Sequence, residues 1–125
     1  MKGLTLDAGA LIALERADRR LVAWIDEALE AGLRIAVPAG ALGQVWRDGA
    51  RQVRLVRLLA SDAVELCALD GRRAKEAGAL CGLRGTSDVV DASVVLCAVE
   101  RGHRAVTSDP FDLRRLDPRL ELLVV

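Results

Sequence analysis

The apolar positions of this 125-residue chain alternate between short apolar runs and stretches with an apolar residue every three or four positions. The short runs predict strands and the longer periodic stretches predict helices. The predicted strands are Lys2–Leu6, Leu33–Val37, Val64–Leu69, Arg104–Thr107 and Leu120–Val125. The predicted helices are Ala8–Glu15, Arg19–Ala31, Ala39–Asp48, Val53–Ala60, Arg72–Leu83, Asp88–Arg101 and a short one that ends near Leu116. This alternation predicts a single α/β domain, residues 1–125, whose central, mostly parallel sheet of about five strands has helices on both faces.

The helix predicted at residues 88–101 is apolar almost all the way round, so we expect it to lie in the interior of the domain. Asp88 and Asp91 stand three residues apart in its first turn and therefore share one face. One interpretation is structural: Asp88 caps the helix, and Asp91 interacts with the positive end of the helix dipole. The other is functional, because an ionised carboxylate on a buried helix is costly unless a cation or hydrogen-bond donors meet it.

Two further aspartates directly follow predicted strands, Asp7 after the first and Asp109 after the fourth. In parallel sheets, ligands bind at the carboxyl ends of the strands, near the point where the strand order reverses. Asp7, Asp91 and Asp109 could therefore converge there, with Asp88 and Asp112 as near neighbours of two of them. Carboxylates in one pocket repel each other, and a divalent cation such as Mg²⁺ relieves that repulsion. A structural interpretation exists here too, since Asp109 followed by Pro110 is a favourable helix start.

Composition narrows the possible functions. Apolar residues make up 52% of the chain, which favours a folded domain with a core of its own. No apolar run approaches the roughly 18 residues that a membrane-spanning helix needs, and the first residues show no signal-peptide pattern. We therefore expect a cytoplasmic protein without a membrane partner. The formal net charge is zero, which gives the chain as a whole no electrostatic preference for nucleic acid.

The cysteines and the single histidine argue against several kinds of site. Cys67, Cys81 and Cys97 form no Cys-x-x-Cys motif and have no neighbouring histidine, so we expect small buried hydrophobic residues in a reducing compartment. A zinc site or a Ser-His-Asp triad would have to be built around His103, and we expect neither.

Four arginines stand at spacings that would place them on one helical face: Arg47, Arg51, Arg54 and Arg57. Such a stripe is either a solvated surface or a local contact surface for RNA, and the sequence leaves both open.

Four pieces of the chain, taken in order, carry a resemblance: Leu4-Thr5-Leu6-Asp7, Val37-Pro38-Ala39 through Gln44-Val45-Trp46-Arg47, Ser87-Asp88-Val89-Val90-Asp91-Ala92 and Thr107-Ser108-Asp109-Pro110. Their order and spacing resemble a PIN-domain nuclease, and most closely the short VapC-type toxins of bacterial toxin–antitoxin pairs. The resemblance spans almost the whole chain. It implies a PIN-like fold, metal-dependent ribonuclease activity on RNA, a homodimer and a small antitoxin protein as partner.

The resemblance also assigns residues to the site. Asp7, Asp91 and Asp109 match the family's metal-binding acids, and Asp88 is an additional acid beside them. We therefore expect these four aspartates to be catalytic and to bind Mg²⁺ or Mn²⁺. The residues expected to contact the substrate are Gln44, Arg47, Thr107 and Ser108.

The chain departs from the family at Gln44, where a glutamate usually precedes the valine. Glutamine keeps an acceptor oxygen but loses the charge, and it cannot act as a general base. Two hypotheses remain: a nuclease in which Asp88 supplies the missing charge, or a weakened or inactive PIN-like domain that binds RNA or an antitoxin without cleaving.

Other folds that gather acids at strand ends fit less well. A phosphoacceptor receiver domain would need paired acids after the first strand and a lysine after a late strand. A haloacid-dehalogenase-type phosphatase would need an acid where this chain has Gly9. The segment Asp7-Ala8-Gly9-Ala10 also lacks the glycine pattern of a phosphate-binding loop.

Overall fold

A computed structural model describes all residues, 1–125. Five strands and seven helices follow one another along the chain. The strands are β1 (Leu4–Leu6), β2 (Ile35–Pro38), β3 (Val64–Cys67), β4 (Arg104–Thr107) and β5 (Leu122–Val124). The helices are α1 (Ala8–Glu15), α2 (Arg19–Glu30), α3 (Ala39–Val45), α4 (Val53–Ala60), α5 (Gly71–Arg84), α6 (Val89–Arg101) and α7 (Pro110–Leu116).

All five strands are parallel and form one sheet in the order β3-β2-β1-β4-β5. The central strand is β1, where Leu4 pairs with Ile35 of β2 on one side and with Arg104 of β4 on the other. From β1 the chain builds the sheet outward through β2 to β3, and then returns to add β4 and β5 on the opposite side. The strand order therefore reverses between β1 and β4, and the loops that follow these two strands meet at this point.

The helices form two groups. Helix α1 contacts α2, α3 and α4, whereas α6 contacts α5 and α7. Because parallel crossovers are right-handed, the crossovers on the two sides of β1 place these groups on opposite faces of the sheet. Strand β1 is completely buried between them, and the core is one continuous apolar cluster. The predicted α/β fold is confirmed, with a sheet that is entirely parallel.

Helix α6 crosses the sheet face and contacts β1, β2 and β4. Its buried side chains surround most of its circumference: Ala92, Ser93, Val94, Val95, Cys97 and Ala98. The helix ends at Gly102, which adopts a left-handed conformation (φ 64°) that glycine accepts without steric cost. As the sequence predicted, α6 is an interior helix, and its first turn points toward the carboxyl end of the sheet.

One predicted helix is too long. The prediction extended α3 to Asp48, but the helix ends at Val45 because Trp46 adopts an extended conformation. The buried side chain of Gln52 explains the break, since its Oε1 accepts hydrogen bonds from the backbone N–H groups of Arg47 (2.8 Å) and Asp48 (3.0 Å). Its amide nitrogen donates to the carbonyl of Val45 (2.9 Å).

This break separates the four arginines that the sequence placed on one face. Arg47 and Arg51 lie in the connection between α3 and α4, and only Arg54 and Arg57 belong to α4. The prediction of a single basic helical stripe is therefore wrong. None of the seven helices combines the length and the apolar character needed to cross a membrane.

Candidate active site

Asp7 lies at the carboxyl end of β1 and begins α1. Its backbone N–H donates to the carbonyl of Val106 in β4, and one carboxylate oxygen accepts a hydrogen bond from the N–H of Ala10 (2.8 Å). Only 7% of the residue is exposed. Burial raises the pKa of Asp7, although the Thr107 hydroxyl and the N–H groups of Ala10 and Gly9 counteract part of this effect. The negative charge of Asp109 raises the pKa further.

Asp88 and Asp91 lie in the first turn of α6. Asp88 is the N-cap, and its carboxylate accepts a hydrogen bond from the N–H of Asp91 (2.9 Å). The expected capping role of Asp88 is thus present. The Asp91 carboxyl is half-buried, and this burial, followed by the charges of Asp88, Asp112 and Asp7, raises its pKa to about 7. The pKa of Asp91 is therefore raised by acids at the start of α6, on α7 and at the end of β1.

Asp109 follows β4 and is exposed. It occupies the N-cap position of α7, and Pro110 begins the helix, yet the Asp109 carboxylate makes no capping hydrogen bond. The structural interpretation of Asp109 as a cap is therefore wrong with respect to its side chain. Its backbone N–H instead donates to the Thr107 hydroxyl (2.9 Å). The Asp109 carboxylate therefore accepts no hydrogen bond from the backbone of α7.

Asp112, expected only as a neighbour of the acids and not as a site residue, belongs to the same group. Contact with the Asp109 carboxylate raises the pKa of Asp112, and the charges of Asp109 and Asp88 add to the effect. Its position three residues after Asp109 would have been the signal, because residues so spaced share a helix face. The acid group thus comprises Asp7, Asp88, Asp91, Asp109 and Asp112.

No basic side chain neutralises this group. None of the five acids forms a salt bridge, whereas arginines elsewhere pair with Asp48, Glu65, Glu76 and Glu100. Burial is the largest cause of the raised pKa of Asp91, and repulsion by the neighbouring acids adds to it. The contact with Asp109 is the largest cause for Asp112, and the positive charge of Arg115 offsets only part of that rise in pKa. In the conformation described, no three acidic, histidine or cysteine side chains are close enough to share one metal ion.

The chemistry of the donors nevertheless suits a hard divalent cation. All five side chains offer carboxylate oxygens, which Mg²⁺ and Mn²⁺ prefer, and their mutual repulsion is the kind that a cation relieves. Asp7 and Asp88 each cap a helix through one carboxylate oxygen, and the Asp109 carboxylate makes no capping hydrogen bond. The donor atoms of the acid group therefore fit such a cation.

The residues expected to contact the substrate lie in different environments. Gln44 is exposed and its side chain makes no hydrogen bond. It follows Gly40 by four residues, and a Cβ atom at Gly40 would touch Val90, so this face of α3 packs near the start of α6. Arg47 is exposed and donates to the carbonyl of Trp46 (2.6 Å). These positions leave both side chains accessible to a ligand.

Thr107 and Ser108 connect β4 to the acid group. Thr107 is completely buried, and its hydroxyl holds the backbone of Asp109, so its position suits alignment of the loop rather than surface contact. Ser108 is exposed and packs directly against Gly9, where a Cβ atom would lie 2.0 Å from the Ser108 Oγ. This close approach is not evident from the sequence, because the two segments are distant in the chain. Gly9 thus lets the start of α1 approach the loop that follows β4.

No family model and no curated protein matches this sequence. Solved structures do match. VapBC2 from Rickettsia felis, bound to a promoter DNA fragment, has a TM-score of 0.71 at 12% identity and covers 98% of both chains. A toxin–antitoxin complex from Klebsiella pneumoniae has a TM-score of 0.67 at 17% identity, covering 97% of this chain and 96% of its own. VapBC-1 from nontypeable Haemophilus influenzae has a TM-score of 0.67 at 14% identity, covering 98% and 97%. The expected resemblance to VapC-type structures is thus confirmed, and at these identities it establishes the PIN-like fold.

Proposed function

We propose that this protein is a Mg²⁺- or Mn²⁺-dependent endoribonuclease that acts in the cytoplasm as the VapC-like toxin of a toxin–antitoxin pair. The observation that carries the proposal is the convergence of unpaired acids from the β1 loop, α6 and the β4 loop, at the point where the strand order reverses. A structural role alone would not require five uncompensated carboxylates in one place, because such clustering costs stability.

The residues proposed to hold the cation are Asp7, Asp88, Asp91 and Asp109. When bound, the ion would polarise a phosphodiester oxygen of RNA and lower the pKa of the attacking water. Asp7 contributes a fixed carboxylate, because the Ala10 N–H holds one of its oxygens and burial restricts the rest of the side chain. Asp91, whose pKa is raised to about 7, carries a proton on a large fraction of molecules at neutral pH. Cation binding should therefore release a proton from the Asp91 carboxyl.

The substrate would lie across the loops that follow β1 and β4. The exposed Ser108 hydroxyl can donate to a phosphate oxygen beside the acids. The buried Thr107 hydroxyl holds the Asp109 backbone in place by accepting its N–H. Arg47 offers a guanidinium, which recognises phosphate through paired donors. Because the chain has no net charge, RNA affinity should come from this local surface together with the bound cation.

The proposed partners are a small antitoxin protein and a second copy of this chain. Support for the antitoxin comes from the similar structures, which include a toxin–antitoxin complex. The acid group suggests how an antitoxin could inhibit: an arginine of the partner could form paired hydrogen bonds with these carboxylates and displace the cation.

Thermal unfolding and RNA cleavage in Mn²⁺ would test the proposal. Saturating Mn²⁺ should raise the Tm of the wild type, because the ion binds only the folded protein. Asp7→Asn and Asp91→Asn should each reduce that increase and abolish cleavage of single-stranded RNA. Asp70→Asn is a matched control, since Asp70 caps α5 in the same way as Asp7 caps α1 but lies outside the acid group. Equal Mn²⁺ stabilisation of all four proteins would contradict a shared cation site.

Gln44 favours a second candidate, a PIN-like domain that binds RNA or an antitoxin without cleaving. The Asp88→Asn variant separates the two, because asparagine caps a helix about as well as aspartate and so preserves α6. If Asp88 replaces the missing glutamate, Asp88→Asn should abolish RNA cleavage without lowering the Tm in EDTA. A wild type that binds RNA but never cleaves it in Mn²⁺ would support the non-catalytic candidate.

A further inference from the structure

Two of the three cysteines meet where the end of β3 faces helix α6. Cys67 is the last residue of the edge strand β3, and Cys97 lies near the middle of α6. Their sulfur atoms are 3.0 Å apart, with the Cys97 thiol donating toward the Cys67 sulfur. Cys81 lies on α5, and its thiol donates instead to the carbonyl of Asp88 (3.4 Å). The sequence predicted three small buried cysteines; Cys81 and Cys97 are buried, whereas Cys67 is only partly buried and contacts Cys97.

The two thiols differ in accessibility. Cys97 is 1% exposed, whereas Cys67 is partly exposed at the sheet edge. A reagent from solvent can therefore reach Cys67 first, and Cys97 can approach Cys67 only from the interior side. This is the arrangement of an attacking thiol and a second thiol that resolves the product.

The groups around the pair also favour a thiolate at Cys67 and a protonated thiol at Cys97. The hydrogen bond from Cys97 lowers the pKa of the Cys67 thiol, and the positive charge of Arg101 adds to this effect. Arg101 is held in place by two hydrogen bonds to the Glu65 carboxylate, at 2.7 and 3.0 Å. Burial opposes the lowered pKa, and so does the negative charge of Glu65. The pKa of Cys97 is raised, so Cys97 keeps its proton while Cys67 supplies the reactive thiolate.

We propose that Cys67 and Cys97 form a reversible dithiol–disulfide site that is oxidised by hydrogen peroxide. The Cys67 thiolate attacks one peroxide oxygen and the O–O bond breaks; the departing hydroxide takes up a proton and leaves as water. The Cys67 sulfenic acid that results is attacked by the Cys97 sulfur, the S–O bond breaks, and a second water leaves with the Cys97 proton. Two thiols are oxidised to one disulfide, and one peroxide is reduced to two waters.

The geometry requires little movement. A disulfide bond is about 2.05 Å long, so the sulfur atoms must approach by roughly 1 Å, which rotation of the two side chains can supply. The bond would tie β3, which pairs only with β2, to the central helix α6. It would close a loop of about 30 residues, which restricts the unfolded chain and should raise the Tm by roughly 5–10 °C.

The test is oxidation of the purified full chain by one equivalent of hydrogen peroxide, followed by alkylation and intact mass spectrometry. The wild type should lose about 2 Da, retain one alkylatable thiol instead of three, and yield a cross-linked peptide pair containing Cys67 and Cys97. Dithiothreitol should restore all three thiols. The same measurement needs no mutation, so it remains informative even if a variant folds poorly.

Cysteine-to-serine variants identify the partners. Cys81→Ser is the matched control and should still form the disulfide, whereas Cys67→Ser should lose it and retain two alkylatable thiols after peroxide treatment. Three alkylatable thiols in the oxidised wild type would overturn the proposal. A disulfide that involves Cys81, or that links two chains on a non-reducing gel, would overturn it as well. None of these outcomes depends on nuclease activity, so the proposal is tested separately from the proposed function.

Discussion

Replacing Asp91 with asparagine should stabilise the cation-free protein at neutral pH, although it removes a residue of the proposed active site. The pKa of Asp91 is about 7 in the folded chain, compared with the ordinary value of 3.8. Folding therefore favours the protonated carboxyl. Well below the ordinary value of 3.8, Asp91 is protonated in both the folded and the unfolded state and imposes no penalty. As the pH rises toward 7 the unfolded chain ionises first, so the wild type loses stability across this window, and the loss is complete above pH 7.

The size of the effect follows from the shift. About three pKa units correspond to roughly 4 kcal/mol, since each unit is worth about 1.4 kcal/mol. Asp91 is only half-buried, so solvent screening should reduce this to about 1–2 kcal/mol. Asparagine has the same shape and no charge. For a domain of this size, Asp91→Asn should therefore raise the Tm by roughly 5 °C at pH 8 in EDTA, and the difference should disappear below about pH 3.

The assay is thermal unfolding of wild type and Asp91→Asn at several pH values, with EDTA or saturating Mn²⁺. In EDTA the variant should be the more stable protein above pH 6. In Mn²⁺ the order should reverse, because only the wild type offers the full set of carboxylates to the ion. An Asp91→Asn protein that is less stable than wild type at pH 8 in EDTA would refute the reasoning, since it would mean that the Asp91 charge is compensated in the folded protein.

Three further variants test other contacts. Gln44→Glu should raise Mn²⁺ affinity and RNA cleavage if the missing glutamate weakens the site, and should change neither if Asp88 already replaces it; metal titration and a cleavage assay distinguish these outcomes. Gly9→Ala should lower stability by about 1–3 kcal/mol and weaken Mn²⁺ binding, because the added Cβ would displace Ser108, and a second change, Ser108→Gly, should restore part of both. Burial lowers the pKa of His103, so the unfolded chain takes up the proton first as the pH falls below 6.5, and the wild type loses stability. His103→Gln should therefore lose less stability than the wild type when urea unfolding is compared at pH 7.5 and pH 5.5.

Local pattern was sufficient to predict the elements of the fold, because each strand and helix carries its own periodicity. Helix α6 is the clearest example: its cap at Asp88 and its stop at Gly102 are both local signals. The end of α3 was not predictable in this way. It depends on the buried side chain of Gln52, which competes for the N–H groups of Arg47 and Asp48 from several residues away.

The site shows the same division between local and distant information. Asp7 and Asp109 could be assigned to strand ends from their neighbours, and parallel-sheet geometry predicted that they would approach each other. Whether a carboxylate is free or engaged depends on contacts that the sequence does not show. Asp109 illustrates this, because it has the sequence of a helix cap but its side chain makes no capping bond. The Cys67–Cys97 pair is a second example, since it joins elements about 30 residues apart.

The central position of β1 also determines when the acid group can form. Leu4 pairs with Arg104, so the middle of the sheet is closed by a contact across most of the chain. Folds with such a high contact order fold slowly, because loop closure must precede the pairing. During synthesis, Asp7 emerges from the ribosome long before Asp109, and β1 must wait for β4. A nascent chain therefore cannot assemble the acid group until almost the whole domain has been synthesised.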